Sequence, residues 1–161
     1  MPRYLMFRSL AMAFVLAGAA CDSPTDPEPG EPLAVTRVTQ GVFSKFDAPQ
    51  RVTIRSQDAL LAAWAQIFGG PLALPPPLPQ VDFANEMIVL VAAGAKPTSG
   101  FLIVVDSASG TSNTASVTVR TLSPATGCVT APAVSQPYDM VRLPRREAVK
   151  FVETSGVQNC M

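Results

Sequence analysis

Two segments of the chain alternate apolar and polar residues with the period of a β-strand. In residues 51–55, Val52 and Ile54 share one face, and in residues 115–121, Val117 and Val119 do the same. Alternation with a period of two residues is typical of a strand that buries one face. We therefore predict a half-buried strand in each segment, with these four side chains turned toward the core.

Two further segments are unbroken apolar runs rich in β-branched residues, Met-Ile-Val-Leu-Val at 87–91 and Phe-Leu-Ile-Val-Val at 101–105. Such runs are expected for central strands that are covered on both faces. Shorter strands are predicted at 34–39, 138–143 and 148–152. We also predict that residues 97–101 form an exposed hairpin turn joining the two apolar runs, with Gly100 at positive φ and Phe101 returning to the sheet as a core residue.

One amphipathic helix is predicted over residues 56–68. Ser56 is a suitable N-cap, apolar residues then recur with helical spacing, and two glycines follow at 69 and 70. The stripe consists of Leu60, Leu61, Trp64, Ile67 and Phe68. Since Trp64 lies among aliphatic neighbours, we interpret it as a core residue. The element order β-β-α-β-β-β-β-β predicts an α+β domain with a mostly antiparallel, sandwich-like β-sheet.

The amino terminus has the pattern of a signal peptide over residues 1–20. Arg3 and Arg8 precede an apolar run at 10–20 that ends in small residues directly before Cys21. The run is about half as long as the ~20 residues that a transmembrane helix needs. The small residues before the cysteine resemble a bacterial lipobox, which implies that Cys21 is acylated and becomes the mature amino terminus. The alternative is plain secretion, with Cys21 as an ordinary thiol.

The segment after Cys21 has the composition of a spacer. Residues 22–32 contain four prolines and four carboxylates and no large apolar side chain. Such a segment cannot bury a core, so we predict a tether over 21–32 and a folded domain over 33–161.

The cysteine count favours one disulfide. If Cys21 is acylated, Cys128 and Cys160 remain as an even pair in a chain that leaves the reducing cytosol. We expect them to be bonded to each other, which would close a loop of about 32 residues and stabilise the fold by roughly 3 kcal/mol. The alternative, a redox or metal-binding pair, lacks a Cys-x-x-Cys spacing.

Composition excludes several chemistries. The chain has no histidine, so it cannot form a Ser-His-Asp or Cys-His arrangement or a His-ligated metal site. The 12 basic and 12 acidic residues cancel, which argues against nucleic acid as a partner. The carboxylates are scattered along the domain and suggest neither an acid/base pair nor a cation loop. We therefore predict no catalytic residue, no metal and no cofactor.

Four segments together resemble a known family. They are residues 81–91, 94–101, 124–128 and 136–144, with Gly-Ala-Lys-Pro-Thr-Ser-Gly-Phe as the second and Gln-Pro-Tyr-Asp-Met-Val-Arg-Leu-Pro as the fourth. This order is similar to the carboxy-terminal domain of the protease complex subunit PrcB family, over about 42–151. The resemblance implies an accessory lipoprotein module of the cell envelope, associated with an extracytoplasmic protease, and it supplies no catalytic residue.

Two functions remain open on the sequence. The first is a non-enzymatic module, held at the membrane by its lipid anchor, that binds another envelope protein or a protease. Its candidate contact loop consists of Lys96, Pro97, Thr98, Ser99, Gly100 and Phe101, and the stretch at 123–137 is the next candidate. The second is protease inhibition, because residues 97–101 are also similar to the Asn-Pro-Thr-Thr-Gly-Phe loop of chagasin-type inhibitors. An uncharacterised enzyme is the third and least favoured alternative.

Overall fold

Eight strands and one helix make up the part of the chain that the computed structural model describes, residues 30–69 and 74–159. The helix, α1, spans Gln57–Phe68. The strands are β1 Glu31–Pro32, β2 Thr36–Gly41, β3 Pro49–Ile54, β4 Glu86–Ala93, β5 Leu102–Gly110, β6 Thr114–Pro124, β7 Tyr138–Pro144 and β8 Ala148–Gln158. Apart from the two-residue β1, this is the predicted order of elements.

The strands form two four-stranded sheets that pack face to face. One sheet has the order β1-β5-β6-β8 and the other β2-β7-β4-β3. Neighbouring strands are antiparallel except β6 and β8, which are parallel. The predicted α+β class, with a mostly antiparallel sandwich and one helix, is confirmed. The last strand reaches Gln158, six residues beyond its predicted end, because its polar second half pairs with β6 rather than burying side chains.

The core has two layers that share strand β4. Met87, Val89 and Val91 point into the layer between the sheets, while Ile88 and Leu90 point toward the helix. All five are at most 1% exposed. The unbroken apolar run at 87–91 is thus explained, and its prediction as a strand covered on both faces is confirmed.

The same prediction is wrong for the run at 101–105. Ile103 and Val105 are buried between the sheets, whereas Leu102 and Val104 on the opposite face are only half-buried. Among the described elements the helix lies against the other sheet, so the outer face of β5 receives no such cover. An apolar run alone does not reveal which sheet the helix covers. The inward positions predicted in the alternating strands are confirmed for Ile54, Val117 and Val119.

The helix begins as predicted, and its apolar stripe is confirmed as a core face except at Leu61, which is 57% exposed. The Ser56 hydroxyl accepts a hydrogen bond from the Ala59 amide at 3.3 Å, which satisfies one of the free N–H groups of the first turn. Leu60, Trp64 and Ile67 are buried. The Trp64 indole N–H donates to the Pro76 carbonyl at 3.0 Å, so the buried ring keeps a partner for its one polar atom.

The predicted hairpin between the two apolar runs is wrong. Strands β4 and β5 belong to different sheets, and residues 94–101 cross from one sheet to the other. The reason is that both edges of β4 are already paired, with β3 on one side and β7 on the other. Gly100 does have positive φ, at 89°. Phe101, however, is half-buried beside the Lys96 ammonium and is not a core residue.

A buried carboxylate that is paired with an arginine of its own sheet connects this sheet to the other one. Asp139 on β7 is fully buried and faces the layer between the sheets. Its carboxylate accepts two hydrogen bonds from Arg37 on β2, at 2.9 and 3.0 Å, and a third from the Val105 amide on β5, at 2.8 Å. The register of β5 against β6 shifts just after Val105, and that of β2 against β7 shifts just after Arg37. One carboxylate therefore ties three strands together at the irregular points of two of them.

The two side chains of the Arg37–Asp139 ion pair are unequally buried. The Arg37 side chain is 43% exposed, whereas that of Asp139 is fully enclosed. The hydrogen bonds to Asp139 raise the pKa of Arg37 above its ordinary value. Removing Arg37 would leave the charge of Asp139 uncompensated in the core. This would cost far more free energy than exposing the Arg37 charge to water would.

We expect Arg37→Ala to lower the free energy of unfolding by about 3 kcal/mol or more, because Asp139 would remain buried without its counter-charge. Arg120→Ala is the matched control, since Arg120 bonds Asp106 at 2.8 Å near the surface, where a pair contributes at most about 1 kcal/mol. Urea unfolding at neutral pH measures both. Equal losses in the two variants would contradict this assignment.

Candidate protein-binding surface

Three connections meet at one end of the sandwich, and we call this region, residues 42–48, 94–101 and 125–137, the three-loop end. Gln136 links the first connection to the third, because its amide donates to the Val42 carbonyl at 2.8 Å and its side chain donates to Asp47 at 2.7 Å. Ser44 donates back to the Gln136 carbonyl at 3.0 Å. The Ala95 amide donates to the Asp47 carbonyl at 2.9 Å and joins the second connection to the first.

The second and third connections form a short ladder. Lys96 and Ser135 exchange both backbone hydrogen bonds, at 2.8 and 3.0 Å. Ser99 and Ala131 are likewise joined twice, since the Ala131 amide donates to the Ser99 hydroxyl at 2.9 Å and the Ser99 amide donates to the Ala131 carbonyl at 3.1 Å. The Ser135 hydroxyl, only 2% exposed, donates to the Thr98 carbonyl. The loops at this end are therefore held by one another.

The predicted contact loop is mostly engaged in this ladder. Pro97 is exposed, whereas Lys96, Thr98, Ser99, Gly100 and Phe101 are half-buried. Replacing Ser99 by alanine would remove a loop-to-loop hydrogen bond, so Ser99 is not the neutral surface position that an exposed turn would make it. The structure places the six residues together at the three-loop end, but Pro97 is the one among them whose side chain is exposed to solvent.

The apolar side chains that this end exposes lie on its other two connections. Phe43 is 67% exposed, Val134 is 60% exposed and Val129 is fully exposed. The second predicted candidate, residues 123–137, covers the two valines. Phe43 is not among the predicted contact residues, because an aromatic residue near a predicted strand is more often buried, and only the loop geometry turns it outward.

A cavity of about 400 Å³ opens between the second and third connections. Ser99, Gly100, Cys128, Thr130 and Asn159 are among the residues that line it. The Cys128 amide donates to the Ala125 carbonyl at 3.1 Å, and the Ala125 amide donates to the Gln158 carbonyl at 3.0 Å. Cys128 thus lies beside the end of β8. Its predicted partner Cys160, like the predicted lipid-bearing Cys21, lies outside the described residues.

The opposite end of the sandwich receives the chain from the predicted tether. Strand β5 leads from the three-loop end to Gly110, and the backbone of Gly30 lies directly against Gly110. Two arginines of the connection between β7 and β8 lie at this end. Arg145 donates to the Phe83 carbonyl at 2.7 Å and Arg146 to the Thr111 carbonyl at 2.6 Å, so both hold turns in place.

The described residues contain neither grouped metal ligands nor a membrane-spanning helix. Within residues 30–69 and 74–159, no three His, Cys, Asp or Glu side chains are grouped so that they could hold a metal ion. The pKa of Asp82 is lowered by hydrogen bonds from the Asn85 side chain and the Ala84 amide, which close a turn on the surface. In the same part of the chain, no helix is long and apolar enough to cross a bilayer.

The fold is that of a two-sheet domain with three hydrogen-bonded connections assembled at one end. Residues 87–144 match the family model described as PrcB C-terminal. The matched segment runs from β4 to the end of β7 and includes two of the three connections of the three-loop end. This match confirms the resemblance to the PrcB C-terminal family. No curated protein and no solved structure matches the chain.

Two glycines at the three-loop end provide a matched test of its packing. Gly100 and Gly127 both have φ of 89°, but a Cβ at Gly100 would lie 3.2 Å from the Pro124 side chain, whereas one at Gly127 would meet nothing within 4 Å. We expect Gly127→Ala to cost about 1 kcal/mol of stability from backbone strain alone, and Gly100→Ala to cost more because the loops must also shift. Urea unfolding of the two variants measures the difference. A larger loss for Gly127→Ala would contradict the packing described.

Proposed function

We propose that this protein is a non-enzymatic, lipid-anchored accessory module of the cell envelope, and that it binds another protein through its three-loop end. The observation that carries the proposal is the exposure of Phe43, Val129 and Val134 on loops that are hydrogen-bonded to one another. Exposed apolar side chains surrounded by polar ones are typical of protein contact surfaces. Loops that are already ordered lose little conformational entropy on binding, so more of the contact energy remains as affinity.

The family supplies the kind of partner. PrcB is named as a subunit of a protease complex, and the matched residues 87–144 include the loops that we propose as the contact surface. We infer that the partner is a component of an extracytoplasmic protease complex. The absence of histidine from the whole chain supports an accessory role rather than a hydrolytic one.

The anchor and the disulfide belong to the same proposal. The lipobox-like residues before Cys21 support acylation, and the tether reaches the domain at Gly30, at the end opposite the three-loop end. Attachment there leaves the proposed contact surface unobstructed by the tether. A Cys128–Cys160 disulfide is supported by the hydrogen bond between Ala125 and Gln158, which holds the Cys128 turn close to the chain segment that leads to Cys160.

Protease inhibition through residues 97–101 remains the alternative. A wedge that enters a protease cleft has to project its side chains, and here only Pro97 is exposed while Thr98 and Ser99 are bound to the neighbouring connection. This geometry favours a broad contact over the whole three-loop end. The two functions also differ in their effect on the partner, because an inhibitor lowers the peptidase activity of the protease that it binds.

The contact surface is tested by the combined variant Phe43→Ser, Val129→Ser and Val134→Ser. We expect it to lose co-purification with envelope peptidase activity while its melting temperature stays close to that of the wild type, since exposed side chains contribute little to stability. The matched control is Leu61→Ser with Leu74→Ser, two apolar residues outside the three-loop end whose exposure is 57% and 98%. Undiminished capture by the triple variant would refute the proposed surface. Inhibition of the captured peptidase, abolished by Pro97→Ala, would favour the alternative.

The anchor is tested separately by Cys21→Ser. We expect this variant to move from the membrane fraction to the soluble fraction, because the thiol that carries the lipid is gone. The intact mass of the wild-type protein should correspond to a chain that begins at residue 21 with lipid attached. Cys128→Ser, the control, should stay in the membrane fraction. A wild-type protein that is soluble and keeps a free Cys21 thiol would disprove anchoring.

A further inference from the structure

The edges of the two sheets are unequally protected. An edge strand presents unpaired N–H and C=O groups and can pair with another chain unless it is short, bulged, charged or covered. In the described part of the molecule the outermost strands are β1 and β8 in one sheet and β2 and β3 in the other.

Three of these edges carry a recognisable protection. Beside the two-residue β1, the edge of β5 is capped by side chains, since Gln40 donates to the Ile103 carbonyl at 3.1 Å and Arg37 donates to the Val105 carbonyl at 3.3 Å. Strand β2 is interrupted by a register shift between Arg37 and Thr39. Strand β3 is six residues long, begins with a proline, and has its Gln50 carbonyl bound by Arg51.

Strand β8 differs from them in length and regularity. Its 11 residues contain no proline and follow β6 in one unshifted register, from Thr114 opposite Ala148 to Pro124 opposite Gln158. None of the described strands pairs with its other side. Val152 and Val157 are 39% and 64% exposed along it. Its one inward charge, Glu153, is neutralised by Arg51 of the facing sheet at 2.6 Å, a hydrogen bond that lowers the pKa of Glu153.

We propose that β8 pairs with β8 of a second copy of this chain, antiparallel about a two-fold axis at Thr154, to join two four-stranded sheets into one of eight strands. A two-fold contact of this kind is self-complementary, because each residue meets its partner twice. The inference is independent of the proposed function, since it concerns the edge of β8 and not the three connections themselves.

The side chains select this register. In an antiparallel pair, each residue must oppose one whose side chain lies on the same face of the sheet. The two-fold axis must therefore lie where a residue opposes its own copy, and three such positions are available near the middle of β8. An axis at Glu153 would oppose two carboxylates, and an axis at Val152 would oppose Phe151 to Glu153. An axis at Thr154 opposes Phe151 to Val157, Glu153 to Ser155 and Lys150 to Gln158. It places the exposed Val157 opposite an apolar residue and brings no like charges directly opposite each other.

The register is tested by Thr154→Cys in the full-length protein. Opposed residues of an antiparallel pair have Cβ atoms about 4.5 to 5.5 Å apart, so two cysteines at the axis can bond with a small adjustment. We expect a reducible band of twice the monomer mass under mild oxidation. Thr118→Cys, on the same face of the neighbouring strand β6, should give no more than the wild type, whose own cysteines set the background. Equal bands from both variants would overturn the proposal.

Charge complementation provides the second test. Thr154→Lys and Thr154→Glu each place like charges at the axis, and each should weaken recovery of one epitope-tagged copy with another by about tenfold or more. Co-expression of the two variants should restore recovery, since opposite charges then meet. Thr118→Lys is the control, and melting temperatures show whether each variant is folded. The proposal would be overturned if the wild-type protein showed no recovery of one copy with another, as would happen if β8 instead captured a strand of another protein. It would also be overturned if Thr154→Lys left that recovery unchanged.

Discussion

The fold depends on one buried carboxylate. Asp139 takes three hydrogen bonds from two other strands, and in doing so it holds β2, β5 and β7 across the layer between the sheets. A charge in that position is destabilising unless its partners are all present, so it penalises every packing of the two sheets except the one that brings Arg37 and the Val105 amide to it. It lies directly before Met140 in the core and just after the third connection of the three-loop end, and it therefore also sets where that connection ends.

The three-loop end is built on this framework. Strands β4, β5 and β7 lead into or out of its second and third connections, and the ladder between Lys96 and Ser135 extends the order of the sheets into the loops. Rigid loops on a fixed scaffold suit recognition, because the contact surface exists before the partner arrives. These loops expose the large apolar side chains of Phe43, Val129 and Val134 among polar ones, which is the chemistry of protein contact.

The unequal protection of the sheet edges follows from the same geometry. Arg37 serves both the buried carboxylate and the edge of β5, so one side chain stabilises the interior and blocks pairing at the surface. Strand β8 lies at the far side of its sheet from this arrangement and is bound to the facing sheet through Arg51 and Glu153. Its backbone edge has no comparable cap among the described residues, which makes it the place where a further strand can be added without displacing one.

The sequence by itself determined the elements of this protein, and tertiary structure decided how they are joined. Periodicity identified the helix, the inward valines of β6 and the fully buried β4, because burial on one or two faces leaves a local trace in the chain. Strand pairing left no such trace in the sequence. Residues 94–101 have the pattern of a hairpin turn, and only the structure shows that both edges of β4 are occupied. The polar half of β8 forms a strand only because it pairs with β6. Likewise Asp139 is one carboxylate among many in the sequence, and Phe43 one aromatic residue. Only contacts between residues far apart in the chain bury the first and expose the second.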